Sequence, residues 1–168
     1  YRLCLDIRDS VHAHPVAGRL LSQGEVEVTH QWVDEGTGLL CKARLDHVSS
    51  VGLSDLKTTT SIDAHDFSNA IARYLYRGQM AHYESPLPER LPVRIIAVER
   101  TAPFEVAVFR LPEWVMDEGR ALVRRLLGDV ALCMERDVWP GRYEAEQEID
   151  LPSWAVTESE PDLGGWDL

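Results

Sequence analysis

Apolar side chains recur at helical spacing from the start of the chain. Leu3, Ile7 and Val11 share a face, which predicts a helix over residues 2 to 22 interrupted at Pro15, with Gly24 as its terminal cap. From Glu25 the period drops to two: Val26, Val28 and His30 alternate with Glu25, Glu27 and Thr29, the pattern of a half-buried strand. The glycines of "DEGTG" at 34 to 38 mark a turn, and "LLCKARLDHV" at 39 to 48 reads as the return strand. "VGLSDLKTT" at 51 to 59 is a third strand after a tight connection, completing an antiparallel meander.

Helical spacing returns at 63 to 84, where Phe67, Ile71, Tyr74 and Leu75 form a stripe and Gly78 is the expected point of division. "RLPVRIIAVER" at 90 to 100 is apolar on both faces and suits a central strand. "FEVAVFRL" at 104 to 111 pairs with it across "TAP". Pro112 fits the first position of a long amphipathic helix carrying Val115, Leu122, Val123, Leu126, Leu127, Val130 and Met134, and ending near residue 137. "WPGRYE" is a turn, "IDLPSWA" at 149 to 155 a short extended segment, and the remainder looser; no internal repeat is present. Trp32, Trp114, Trp139 and Trp154 are expected as core and turn anchors.

The length of 168 residues and 45% hydrophobic content suit one domain with one core. No apolar run is long enough to span a bilayer. The chain opens on Tyr1, so the expectation is that residues precede it, with any targeting signal among them. Cys4, Cys41 and Cys133 are too few and too scattered for a disulfide framework or zinc knuckle, which favours a reducing cytoplasm.

A net charge of −11, evenly spread, would argue against nucleic acid. It is not evenly spread: residues 144 to 168 hold eight acids and no Lys or Arg, which leaves −3 for the body and places all 17 basic side chains there. Local potential, not the sum, steers a polyanion. The acidic end is either a solvated tail or a segment that docks on a basic partner.

Only Lys42 and Lys57 are lysines, and Lys57 follows Asp55 by two in "SDLKTTT". Asp46 and Asp55 fall near the ends of successive strands, which lie roughly 5 Å apart when paired. Two carboxylates converging there repel unless a cation intervenes, and a hard divalent ion with oxygen ligands fits. Lys57 has the strand parity of Asp55, so its ammonium can orient a water and neutralise charge building on a phosphate. A compact ammonium suits that task better than a guanidinium fork. The plain alternative is a structural Asp55–Lys57 ion pair. Gln79 and Tyr83, four apart on a helix, can hydrogen-bond a phosphate or water, or can be a surface pair with Tyr83 packed on the sheet. Thr58, Thr59 and Thr60 suit phosphate contacts and strand propensity alike. His82 points off the Gln79–Tyr83 face and reads as structural.

The order Asp46, then Asp55-Leu56-Lys57, then Gln79-x-x-x-Tyr83 resembles the PD-(D/E)XK nuclease superfamily. Within it the chain is similar to the RecE, or exonuclease VIII, type of recombination exonuclease, through "EVTHQWVDEGTGLLCKARLD" at 27 to 46, "DLKTTTSID" at 55 to 63, "VERTAPFEVAV" at 98 to 108 and "WPGRYEAEQEIDLPSWA" at 139 to 155. The resemblance implies an α/β fold: a restriction-endonuclease-like core with a mixed sheet of about five strands flanked by helices. It implies an exonuclease domain over 1 to 155 and an acidic tail over 156 to 168. Asp46, Asp55 and the Leu56 backbone carbonyl would be metal ligands, Lys57 would position the attacking water, and Gln79 and Tyr83 would line the site. Glu27 aligns with an acidic strand residue of the metal shell or water contacts. Mg²⁺ is the implied cofactor, with Mn²⁺ as a substitute, and a second ion supporting the leaving oxygen. Substrate and partners follow: duplex DNA ends degraded 5′ to 3′, a ring of subunits, and a RecT-like single-strand annealing protein. The family's metal-binding histidine is expected upstream of Tyr1, because His12 and His14 align with a later helix. Rival readings are a RecB-like or Cas4-like repair nuclease, the latter disfavoured by the scattered cysteines, and an inactive end-binding or protein-binding domain of the same fold.

Overall fold

The computed structural model describes residues 1–155. Two short helices, α1 (Arg2–Ala13) and α2 (Pro15–Leu21), lead into the meander β1 (Glu25–Val33), β2 (Leu40–Ser49) and β3 (Gly52–Thr59). Helices α3 (Ala64–Arg73) and α4 (Tyr76–Glu84) then cross over to β4 (Val93–Glu99), which is followed by β5 (Val106–Arg110) and the long α5 (Glu113–Arg136). The five strands form one sheet in sequence order. All neighbours are antiparallel except β3 and β4, whose parallel pairing the α3–α4 crossover makes possible. The mixed five-stranded α/β sheet expected from the sequence is therefore present. Among the described residues no helix is long and apolar enough to cross a membrane.

Both faces of β4 are covered, as its two-sided apolar pattern requires. On one face Leu45, Leu53, Ile95 and Ala97 meet Phe67, Met80, Ala81 and Met116 from α3, α4 and α5. On the other, Ile96 and Val98 meet Val11 and Ala17 from α1 and α2. Local caps set the helices at these angles. The Asp63 carboxylate accepts from the amides of His65 (2.8 Å) and Asp66 (3.2 Å), and so starts α3. His14 Nδ1 accepts from the amides of Val16 (3.3 Å) and Ala17 (3.1 Å), which gives that histidine a structural task.

Several expectations are corrected. The helical region 63 to 84 divides at Leu75, which takes a left-handed backbone (φ 56°), and not at Gly78. Gly78 lies inside α4 against Leu122, and Gly119 of α5 sits against the Arg77 carbonyl, so these two glycines let α4 and α5 approach closely. The α2 cap is Ser22; Gly24 (φ 115°) instead enters β1 where a side chain would strike the Val48 carbonyl. Pro112 is the residue preceding α5. The segment expected to be extended closes in a 3-10 turn, Ser153–Ala155. Trp114 (69% exposed) and Trp139 (61%) anchor no core, whereas Trp32 packs against one.

The apolar stripe of α5 is buried over its first half only. A 24-residue helix is about 36 Å long and α4, with nine residues, about 14 Å. The distal half overhangs, leaving Leu126, Val130 and Met134 exposed. The acidic residues at 144 to 150 have no regular structure, and the expected tail at 156 to 168 lies outside the described residues.

The close α4–α5 approach predicts opposite effects at two glycines of one helix. Gly119→Ala should destabilise by about 1–3 kcal/mol despite its better helix propensity, because the new methyl meets backbone. Gly128→Ala meets nothing and should stabilise by about 0.5–1 kcal/mol. Urea unfolding of both variants checks this; equal effects would refute the contact.

Candidate active site

The β2–β3 ladder is short. It runs from Ser49↔Gly52 to His47↔Ser54 and stops. Beyond it β2 pairs only with β1 and β3 only with β4. Asp46 and Asp55 are the next residue on each strand, so both carboxylates stand where the two strands part. The backbone is irregular there. Leu45 and Val48 pack against one and the same core although strict alternation would separate them, so the pleat slips at Asp46. The β1 residue opposite, Glu27, drops out of the ladder with φ 57°. Such kinks re-aim side chains at functional edges.

Asp55 is enclosed, with 1% exposure. Its Oδ2 lies 2.7 Å from Lys57 Nζ, a buried ion pair that is the one cationic contact of that oxygen among the described residues. Burial pushes the Asp55 carboxyl up from its ordinary range to about 6; Lys57 opposes the rise and the neighbouring Asp46 carboxylate adds to it. Asp46 accepts from the Leu56 amide through Oδ2 at 3.3 Å, tying the acid of one strand to the backbone of the other across the gap. Lys57 is fixed from below as well: its ammonium sits 4.9 Å from the centroid of Tyr76. Only 17% of its side chain is exposed, so the amine points into the site and not into bulk solvent.

Helix α4 supplies the fourth side. Gln79 Nε2 donates to Tyr83 Oη at 2.9 Å and reaches Asp55 Oδ1 at 3.5 Å. Asp46, Asp55, Lys57, Gln79 and Tyr83 thus form one connected group. Glu27 lines the same notch as Asp46, Asp55 and Leu56, a cavity of about 230 Å³, but its carboxylate is half exposed and ion-paired to Arg44 at 2.5 Å. It is adjacent to the group, not joined to it. His82 lies outside, its ring 4.8 Å from Trp32.

Sequence reasoning missed two residues. Tyr76 could have been found, because 76, 79 and 83 share a helical face. His47, buried in the same notch with Nε2 donating to the Gln23 carbonyl at 2.8 Å, gave no signal, because the slipped pleat decides its direction.

Among the described residues no three His, Cys, Asp or Glu side chains cluster as a metal site. Two carboxylates and a main-chain carbonyl are a different donor set, all oxygen, and suit a hard cation that keeps several waters. The buried Asp55 carboxylate, beside a second acid and matched by a single ammonium, supports that fit. Asp46, Asp55 and the Leu56 carbonyl are the residues to hold it.

The raised Asp55 pKa carries a stability consequence. A carboxyl whose folded pKa lies above its unfolded value favours the fold below about pH 3.8, and that contribution is lost as pH rises through about 6. At pH 7 the ionised group therefore strains the metal-free protein, on the order of 2–3 kcal/mol. Asp55→Asn should raise the thermal midpoint at pH 7 without metal, and the difference should vanish near pH 4. Millimolar Mg²⁺ should stabilise the wild type alone. A variant less stable than wild type at pH 7 would contradict this account.

Comparison with known proteins agrees with the fold. The crystal structure of a protein described as "Putative exonuclease" from Eubacterium rectale superposes with a TM-score of 0.71 at 18% identity, over 90% of this chain and 62% of the other. At that identity the likeness is one of fold, and the chain spans less than two thirds of the length of that neighbour. No curated protein matches in sequence. The family described as "PDDEXK-like domain of unknown function (DUF3799)" matches residues 1–151. The chain belongs to that family, and with it to the PD-(D/E)XK nuclease superfamily that the Asp46, Asp55 and Lys57 group resembles.

Proposed function

We propose that this domain is a divalent-metal-dependent exodeoxyribonuclease that hydrolyses the phosphodiester bonds of linear duplex DNA. The observation that carries the reading is the convergence of Asp46, Asp55 and Lys57 at the parting of β2 and β3. Asp46, Asp55 and the Leu56 carbonyl would hold a divalent ion, which would supply a Lewis acid for the phosphate and make a nearby water more acidic. The chain's own groups do the rest. Lys57 presents an ammonium, held by Asp55 and Tyr76, that orients the attacking water and offsets negative charge as it builds on the phosphoryl oxygens. Gln79, braced by Tyr83, keeps the Asp55 carboxylate aimed into the notch. Water adds to phosphorus as its proton passes to solvent, the bond to the leaving sugar oxygen breaks, and that oxygen takes up a proton from solvent to leave as a hydroxyl.

The finer terms of the proposal rest on the resemblance to RecE. They are 5′ to 3′ polarity, Mg²⁺ with Mn²⁺ as substitute, a ring of subunits and a RecT-like annealing partner; a cytoplasmic setting rests instead on the three scattered cysteines.

The test incubates linear duplex, nicked circle and single strand with Mg²⁺ or EDTA. Linear duplex alone should be degraded, only with metal. Lys57→Ala should cut about 10²–10³-fold more slowly while keeping the wild-type circular dichroism spectrum. Cutting of circles would favour a RecB-like repair nuclease. Absence of cutting by the complete natural protein would favour the inactive end-binding domain.

A further inference from the structure

A second cavity, of about 360 Å³, opens beside the catalytic group at the C-terminal ends of the parallel strands β3 and β4. Crevices at the carboxyl ends of parallel strands are where open α/β sheets commonly bind ligands. The floor is Thr58 to Ser61 and Arg100, which β3 and β4 hold together through the Arg100 amide donating to the Thr59 carbonyl at 3.0 Å. The wall is one face of α3, with Asn69 and Arg73 four residues apart. Tyr76 belongs to this lining and also lies under the Lys57 ammonium at 4.9 Å, so cavity and catalytic group share a side chain.

Several of the polar side chains here are donors without internal partners among the described residues. Arg44, Arg90 and Arg120 are each engaged by a carboxylate. Among the described residues, Arg73 and Arg100 have none within ion-pair distance, and the side chains of Thr58, Thr60 and Asn69 make no hydrogen bond to protein. Against the two arginines stands one acid, Asp66, so the cavity is net positive in a protein of net charge −11. An exposed aromatic ring, Tyr74 (60% exposed), completes the lining, with the Arg73 guanidinium 5.9 Å from its centroid. The volume falls in the range of roughly 300–1,000 Å³ usual for small-ligand pockets. Paired guanidiniums and hydroxyls recognise phosphate, and an exposed ring stacks a base.

We propose that this cavity holds one nucleotide of the strand being cut, its phosphate between Arg73 and Arg100 and its base against Tyr74. The inference rests on the nuclease reading and deepens it. Arg73 and Arg100 are positioning residues: they seat the strand so that the neighbouring phosphodiester meets Lys57, and they take no part in bond breaking.

The experiment uses the double variant Arg73→Gln/Arg100→Gln, the Lys/Lys variant, and Arg124→Gln/Arg125→Gln on the exposed face of α5 as a charge-matched control. Binding of a fluorescent single-stranded oligonucleotide to metal-free protein is read by polarisation against salt. The Gln/Gln variant should bind at least about tenfold more weakly, with a log–log salt slope shallower by about 0.7–1.4. On duplex ends its KM should rise while kcat at saturating DNA stays near wild type. Lys/Lys should restore the slope, and Arg124→Gln/Arg125→Gln should change neither. If wild type cuts DNA and the Gln/Gln variant keeps its KM and slope, the cavity proposal fails and the nuclease reading stands. If wild type binds with the arginine-dependent slope and never cuts, the nuclease reading fails and the cavity stands. A mononucleotide competing as well as an equal concentration of oligonucleotide would overturn the assignment to a strand.

Discussion

A carboxylate buried beside another carboxylate is the constraint around which this molecule is arranged. Asp55 is enclosed by the core, next to Asp46, and the Lys57 ammonium offsets only part of the cost of ionising it. A single amine opposite two acids leaves one negative charge unmatched. In a low-dielectric setting such an imbalance is tolerated when something external resolves it, and strained electrostatics of this kind gather at functional sites. On the proposed reading a hard cation would resolve it, and the same cation would meet the anionic substrate.

The fold creates that imbalance by letting a sheet come apart in the right place. β3 pairs with β2 for three residue pairs and with β4 for seven, so it leaves the meander almost at once and joins the α/β half of the molecule. The two acids stand at that departure. The slipped pleat at Asp46 and the left-handed Glu27 opposite it accommodate the divergence. The break at Leu75 then restarts a helix whose axis brings Tyr76, Gln79 and Tyr83 over the gap, and Gly78 and Gly119 hold that helix tightly on α5. The Arg120 guanidinium, bonded to Glu84, Glu113 and Asp117, clamps the far end of the same helix pair. Catalytic chemistry, on this account, depends on irregular backbone held by regular packing.

The strands were legible because hydrophobic period reports burial directly. The two-sided apolar run of β4 announced a central strand, and the alternation from Glu25 announced a half-buried one. Asp46, Asp55 and Lys57 were legible because rare lysine, paired acids and strand parity point to one chemistry, and the superfamily resemblance matched them residue by residue. Direction at an irregular point was not legible. The pleat slip that turns His47 inward, the left-handed turn at Leu75 and the ion pair that draws Glu27 toward Arg44 all arise from tertiary contacts that no local spacing encodes. The α5 stripe misled for a related reason: periodicity shows that a face is apolar, while the length of the neighbouring helix decides how much of it is covered.

The most direct test follows the Asp55 carboxyl itself, by carbon-detected NMR titration of selectively labelled protein with and without Mg²⁺. Without metal its midpoint should lie near 6, well above an ordinary aspartate. Saturating Mg²⁺ should drive it below the normal carboxylate range, because the bound cation favours the ionised form. A midpoint that is already low without metal, or one that Mg²⁺ leaves unmoved, would contradict the claim that this buried pair of acids is built to hold a divalent ion.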